Sequence, residues 1–435
     1  MSSNLAKATV GAFFGSCVEW FDFFIYGTAS ALFFGTLFFP ETDPAVGTVL
    51  SLLTFAVGFL ARPLGGILFG HMGDRIGRKN TFVVTLALMG TSTFLIGVLP
   101  TYGSIGIWAP IILVCLRILQ GLGVGGEWGG SILMTVENAP SKWRAFFGIL
   151  PQLGSPVGTI MANGSFSALA LMDKDALQSW GWRIPFLASA VLIIIGFVIR
   201  LGVGETEEFK AETEETGKSK SPVKEVFTQA WGRVLLVAGS RLYEATFFTV
   251  ATVFVVGYAT GKLGVEKPVV LNSILYGGIA EVIALPIFGL LLFKAKPRTL
   301  LQFGALTGAL AIFPFFLLIE GGNPVLIALA MIVTFFLGTA SWAAYPTLFA
   351  DVFPSRIRYT GISVGFQAAT IFSGFAPSVV SYLSIAAGNT WWPVAIFVMI
   401  TALVSSGCAF VLGRIKPAGK DANAGAGKTT KAVRA

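Results

Sequence analysis

The chain is poor in charge. Only 12% of its 435 residues are Asp, Glu, Lys or Arg, where soluble domains carry about 25%, and that deficit excludes an ordinary water-soluble domain. It has one histidine, His71, and three cysteines, Cys17, Cys115 and Cys408, each cysteine inside an apolar run. No spacing of these residues suits a metal, no disulfide framework is implied, and no nucleophile stands beside a base, so neither a metal site nor an enzyme is expected. What fills the composition is apolar: 54% hydrophobic residues, with 39 Phe, 10 Trp and 52 Gly. The mean hydropathy is +0.78. Aromatics of this kind suit a lipid boundary, and glycines let helices approach closely.

A helix needs roughly 20 apolar residues to cross a bilayer. Runs of that length predict an all-α membrane protein with twelve spans, near 10–38, 47–70, 80–99, 106–137, 145–172, 184–203, 233–260, 269–293, 299–319, 324–350, 359–386 and 391–413. The charged stretch GETEEFKAETEETGKSKSP, Gly204 to Pro222, separates the first six from the last six and is expected to be a solvated linker. The expected organisation is a six-helix half at 1–203, a cytoplasmic linker at 204–230, a second six-helix half at 231–414 and a cytoplasmic tail at 415–435. The net charge of +8 needs no nucleic acid to explain it. With the N-terminus inside, the cytoplasmic loops collect Arg75, Arg78, Lys79, Lys142, Arg144, Lys294, Lys296, Arg298, Arg356 and Arg358, while the outer loops keep Lys174, Arg183, Lys262 and Lys267. That asymmetry places both termini in the cytoplasm.

The halves repeat. ENAPSKWR (Glu137–Arg144) and DVFPSRIR (Asp351–Arg358) share acid-x-x-Pro-Ser-x-x-Arg at an offset of 214 residues. A fainter pair is GHMGDRIGRK from Gly70 and GLLLFKAKPR from Gly289. Two parallel six-span repeats suit a rocking transporter with its site between the halves at mid-membrane.

Charges inside the spans mark that site, because burying them in a membrane is costly. Glu19, Asp22 and Tyr26 share one face of the first span. Counting about 1.5 Å per residue, Arg117 lies level with Asp22, which allows an Asp22–Arg117 pair, and Glu127 lies about 15 Å further inward. Arg241 and Glu244 follow at i and i+3 on the seventh span, and Glu281 lies on the eighth. Arginine binds a carboxylate through two parallel hydrogen bonds and stays charged, so a substrate carboxylate at Arg117 would release Asp22 or Glu19 to hold a proton. Tyr243, Gln152 and Asn163 are expected to line the same cavity, the last two sharing a face of the fifth span. Arg62 is expected near the inner gate in a structural role. At the cytoplasmic face Asp74, Arg75, Arg78, Glu137, Arg144, Asp351 and Arg358 are the candidate gate, with Asp74 facing a helix N-terminus or an arginine. GLGVGG, Gly121 to Gly126, lies inside a span and reads as small-residue packing. GAGKTT near the C-terminus has Ala422 where a phosphate loop needs glycine.

The glycines and charges of GHMGDRIGRK resemble the signature loop of the major facilitator superfamily. Taken with VEWFDFFIYG, ARPLGGILFGHMGDRIGRK, LRILQGLGVGGEWGG, ENAPSKWR, WGWRIPFL and FPSRIRYTG, the chain resembles the metabolite:proton symporter family, most of all its shikimate-transporter branch. The resemblance runs from Val18 to Gly361. It implies the major facilitator fold, a monomer without cofactor or metal in a bacterial inner membrane, and import of a small organic carboxylate with protons by alternating access. Shikimate-like acids, di- and tricarboxylates, and zwitterions such as proline or betaine all fall within the family. A proton-independent facilitator, a proton-driven drug exporter and a non-transporting sensor are the alternatives. One departure stands out: the family usually repeats the acidic loop in the second half, and here Phe293 replaces the acid and Lys296 the glycine after it.

Overall fold

The computed structural model describes residues 3–169, 171–201 and 221–415. Among them every regular element is helical, as a lipid environment requires of a chain that must satisfy its backbone internally. Twelve helices are long and apolar enough to cross a membrane: spans 1 to 6 are Leu5–Ala29, Leu53–Ile76, Arg78–Val98, Trp108–Asn138, Ser141–Phe166 and Gly181–Ile199. Spans 7 to 12 are Trp231–Gly261, Pro268–Leu291, Pro297–Glu320, Pro324–Val352, Ser355–Ala386 and Trp392–Leu412. With an even number of crossings, both ends of the described chain reach one face of the bundle, here the terminal face.

Spans 1 to 6 pack among themselves through the pairs 2–4, 3–4, 1–5, 1–6 and 3–6, and spans 7 to 12 through 8–10, 9–10, 9–12, 7–11 and 7–12. Between these two groups the contacts are 2–11, 4–11, 5–8, 5–10 and 4–10. Glycine permits the closest approaches. A Cβ on Gly121 or Gly125 would strike the span 2 backbone at Gly58 or Arg62.

The two groups are pressed together at the terminal face and part toward the other. Gly66, Gly70 and Gly73 on span 2 lie directly against Ser363, Thr360 and Tyr359 on span 11. Nearer the opposite face, Gly164 on span 5 and Gly374 on span 11 have nothing within 4 Å of where a Cβ would sit. All the described side-chain hydrogen bonds that join the two groups fall in the terminal half of the bundle.

Three spans are interrupted. Spans 1 and 7 each carry a π turn, Ser30–Phe34 beyond the end of span 1 and Val250–Phe254 within span 7, 220 residues apart. Span 7 also breaks between the helices Trp231–Ser240 and Leu242–Thr249, leaving Arg241 at the junction. Span 5 begins as short turns, with Leu150–Leu153 a 3₁₀ segment around Pro151. Most of the charged stretch expected as a linker lies outside the described residues. Its end is not simply solvated: Pro222–Gln229 is a helix that buries Val226 and ties Glu225 to Arg356 at 3.2 Å.

Candidate functional site

The first-span carboxylates face a small polar pocket walled by Glu19, Asp22, Gly58, Arg62, Arg117 and Gln120. Gly58 makes the room: a Cβ there would fall on the Arg117 guanidinium. Arg117 is 4% exposed and Asp22 1%, yet no direct ion pair joins them, contrary to the sequence expectation. A directed chain of hydrogen bonds does so instead. Arg117 donates to the Gln120 side-chain oxygen at 2.5 Å, the Gln120 amide donates to Thr93 Oγ1 at 2.7 Å, and the Thr93 hydroxyl donates to Asp22 Oδ2 at 2.6 Å. Every donor in this chain points from the cation toward the carboxylate, the arrangement in which each bond polarises the next. The other Asp22 oxygen, Oδ1, is buried without a partner.

Aromatic rings hold the guanidinium from the other side. Arg117 lies 4.1 Å from the Tyr26 ring centre and 5.0 Å from that of Phe55, within cation–π range. The Tyr26 hydroxyl is occupied by Thr54 at 2.6 Å. Arg62 enters the same pocket beside Glu19, over the rings of Phe59 and Phe23. This corrects its placement near the inner gate.

A second pocket lies on the side of spans 7, 8 and 10, lined by Tyr243, Glu244, Glu281, Thr339 and Trp342, with Trp20 of span 1 and Ser155 of span 5 completing it. Trp20, packed edge-on against Phe23 and Phe248, stands at the boundary of the two pockets. Tyr243 is fully buried because Gly308 leaves space for its ring. Arg241 is held within spans 7 and 11: it donates to Glu244 at 3.0 Å, to the Phe366 carbonyl at 3.0 Å and to Thr370 at 2.9 Å. Three of its five donors are thus committed, and its role here is to fix Glu244.

Other expected cavity residues lie elsewhere. Gln152 accepts from the Trp128 indole at 2.9 Å and donates to the Trp342 carbonyl at 3.1 Å, so it bridges the halves instead of facing the cavity. Asn163 is exposed. It lies about 16 Å from Gln152 along span 5 and lines neither pocket. Glu127 is buried further toward the terminal face, bound by Thr85 and Ser131, each at 3.1 Å.

At the terminal face Glu137 receives both Arg78 and Arg358, the latter at 2.9 Å. All three side chains are almost wholly buried. Arg78 also donates to Ser355 at 2.9 Å, and Asp74 accepts from the backbone N–H groups of Tyr359 and Thr360 at 3.0 and 2.8 Å. A carboxylate of span 2 thereby accepts two amides of span 11, one turn in from the start of its helix. Arg144 and Arg358 each reach back to a carbonyl of the preceding segment, Val136 and Phe353 respectively. Arg75 and Asp351 are exposed. In the second-half loop Phe293 meets Trp143 at 4.8 Å and Phe146 at 6.4 Å, at the start of span 5. An aromatic contact therefore occupies the place where the first half uses Asp74. Among the described residues no group of His, Cys, Asp or Glu is arranged to hold a metal ion.

Thr93, Gln120 and the Trp128–Trp342–Phe366 stack were not singled out as site residues by sequence reasoning. Of these, Gln120 carried a signal, its place one turn after Arg117.

Comparison with known proteins places these features in context. A family model described as "Sugar (and other) transporter" matches residues 8–229 and 204–413. The "Shikimate transporter" of Escherichia coli (strain K12) is 38% identical over 421 residues, covering 94% of this chain and 95% of the relative. The "Proline/betaine transporter" of the same strain is 32% identical over 418 residues, covering 92% and 82%. Among solved structures, the major facilitator proton:xylose symporter XylE bound to 6-bromo-6-deoxy-D-glucose aligns with a TM-score of 0.74 at 17% identity, covering 94% of each chain.

Proposed function

The chain belongs to the sugar (and other) transporter family of the major facilitator superfamily, and from that premise we propose that it imports a small organic carboxylate with protons. It is a multi-pass bacterial inner-membrane transporter of small molecules, not an enzyme. The excess of Lys and Arg in the loops of the terminal face supports a cytoplasmic setting for that face and both termini. Under that orientation the Glu137 and Asp74 contacts shut the cytoplasmic gate, and the site opens outward. The halves are taken as 1–203 and 231–414, joined by the linker at 204–230 and followed by the tail.

The observation that carries the reading is the chain from Arg117 through Gln120 and Thr93 to Asp22. A substrate carboxylate entering the pocket takes the Arg117 fork in place of the Gln120 oxygen. Gln120 then releases Thr93, and Asp22 loses the donor chain that stabilised its charge. A proton on Asp22 compensates, so substrate and proton load together. Glu19, beside Arg62 and one turn nearer the cytoplasm, is the next acceptor on the way in. Opening of the gate then separates Asp74 and Arg78 from span 11 and Arg358 from Glu137.

Uptake of radiolabelled shikimate into proteoliposomes with an acidic exterior tests this. Stimulation by the pH gradient, lost in Asp22→Asn while exchange of internal for external substrate continues, is expected. Uptake indifferent to the gradient would overturn proton coupling. A zwitterionic substrate is the second reading, favoured by Glu244 and Glu281 opposite the arginines. Betaine outcompeting every carboxylate in the same assay would select it.

A further inference from the structure

Glu281 plays no part in the mechanism above, yet it faces the central space. The pocket it shares with Glu244 has two carboxylates, while Arg241, the nearest cation along span 7, is tied to Glu244, Phe366 and Thr370. The same pocket holds two buried groups without a hydrogen-bond partner, Tyr243 Oη and Trp342 Nε1, on residues 1% and 4% exposed. Ser155 and Thr339 stand in the same lining among the rings of Trp20, Phe247, Phe248 and Phe335. Across Trp20 the other pocket balances Arg62 and Arg117 against Glu19 and Asp22. The two sides of the central site therefore differ: charges are matched on the span 1–6 side, while on the other Glu244 is paired with Arg241 and Glu281 adds a second acid with no cation among the lining residues.

We propose that this second pocket receives the hydroxyl or ammonium end of a monocarboxylate and rejects a second carboxylate, with Glu281 as the specificity-determining residue. The proposal rests on the carboxylate reading above and narrows it. A hydroxyl can donate to Glu281 or Glu244 and accept from Tyr243 or Trp342, satisfying groups that are otherwise left unpaired. A carboxylate in the same place offers no proton to the two acids and adds a like charge in a poorly screened interior, so repulsion excludes it. Di- and tricarboxylates, within the range the sequence allows, are then excluded by the half of the site that does not bind the first carboxylate.

Thermal stabilisation of the purified full-length protein tests the inference with two sets of probes: the hydroxylated monocarboxylates shikimate and quinate, and the acids succinate, 2-oxoglutarate and citrate. The first set is expected to stabilise the wild type at concentrations at least tenfold below any effect of the second. Glu281→Gln is expected to narrow that gap by admitting the second set. Equal stabilisation of the wild type by both sets overturns the inference while leaving carboxylate binding intact, and this ranking decides even if the variant does not fold. A folded Glu281→Gln protein with the wild-type ranking removes Glu281 from the role. No stabilisation by any acid, with Arg117→Ala indistinguishable from wild type, overturns the carboxylate reading itself and this inference with it.

Discussion

Replacing Glu137 by Gln should unlatch the terminal face. In the shut state this carboxylate pairs with both Arg78 and Arg358, whose side chains are 0% and 8% exposed. Removing one partner of a buried ion pair costs about 3–5 kcal/mol, because the other charge stays buried without compensation. In the open state both guanidinium groups meet water, so the loss falls on the shut state alone. At about 1.4 kcal/mol per factor of ten, even the lower figure moves the equilibrium on the order of 100-fold toward opening. Arg78 keeps its bonds to Ser355, and Asp74 keeps its two amides, so the gate is weakened and not abolished. Ser363 reports the change well: it is 1% exposed and lies between Gly66 of span 2 and Gly129 of span 4. With Cys17, Cys115 and Cys408 replaced by Ser, a Ser363→Cys protein should react with maleimide at least ten times faster when Glu137→Gln is added. Rates within twofold of each other, from protein that remains monodisperse, would refute the reasoning.

Three further outcomes follow from the geometry. Asp74→Asn should impair uptake more than any substitution at Phe293, measured at matched membrane abundance, because Asp74 accepts two span 11 amides across the halves whereas Phe293 makes ring contacts. Thr93→Val, nearly isosteric, deletes the donor to Asp22; a hydrogen bond to a charged group is worth about 1.5–3 kcal/mol. Proton-driven uptake should fall roughly ten- to a hundredfold, and uptake within twofold of wild type would remove Thr93 from the coupling path. Gly308→Ala forces a methyl against the Tyr243 ring and should lower the thermal midpoint, at an overpacking cost of about 1–3 kcal/mol, whereas Gly257→Ala, with open space around it, should not.

The sequence makes the spans legible because lipid imposes length and polarity on them residue by residue. The packing role of Gly121 and Gly125 is legible for a similar reason, since only small residues tolerate helices so close. Site geometry is less local. Arg117 and Asp22 were placed at one depth correctly, but what joins them is Thr93, from a third helix, and no spacing along the chain announces it. Gln152 was misread because its partners, Trp128 and Trp342, lie on two other helices. Arg62, expected deep on the second span but near the inner gate, shares a pocket with Glu19 instead.

The π turns at Ser30–Phe34 and Val250–Phe254 bear on the history of the molecule. One added residue turns everything beyond it by about 100° around a regular helix, which would carry the far end of a span away from its neighbours. A π turn absorbs the addition within a single widened turn, so the segments before and after it keep the faces they had. Finding the same accommodation at matching places in both six-span groups is most simply read as inheritance from one ancestral unit. In each six-span group the widened turn lies toward the outer end of the first long helix, so the polar residues before it hold their register toward the centre.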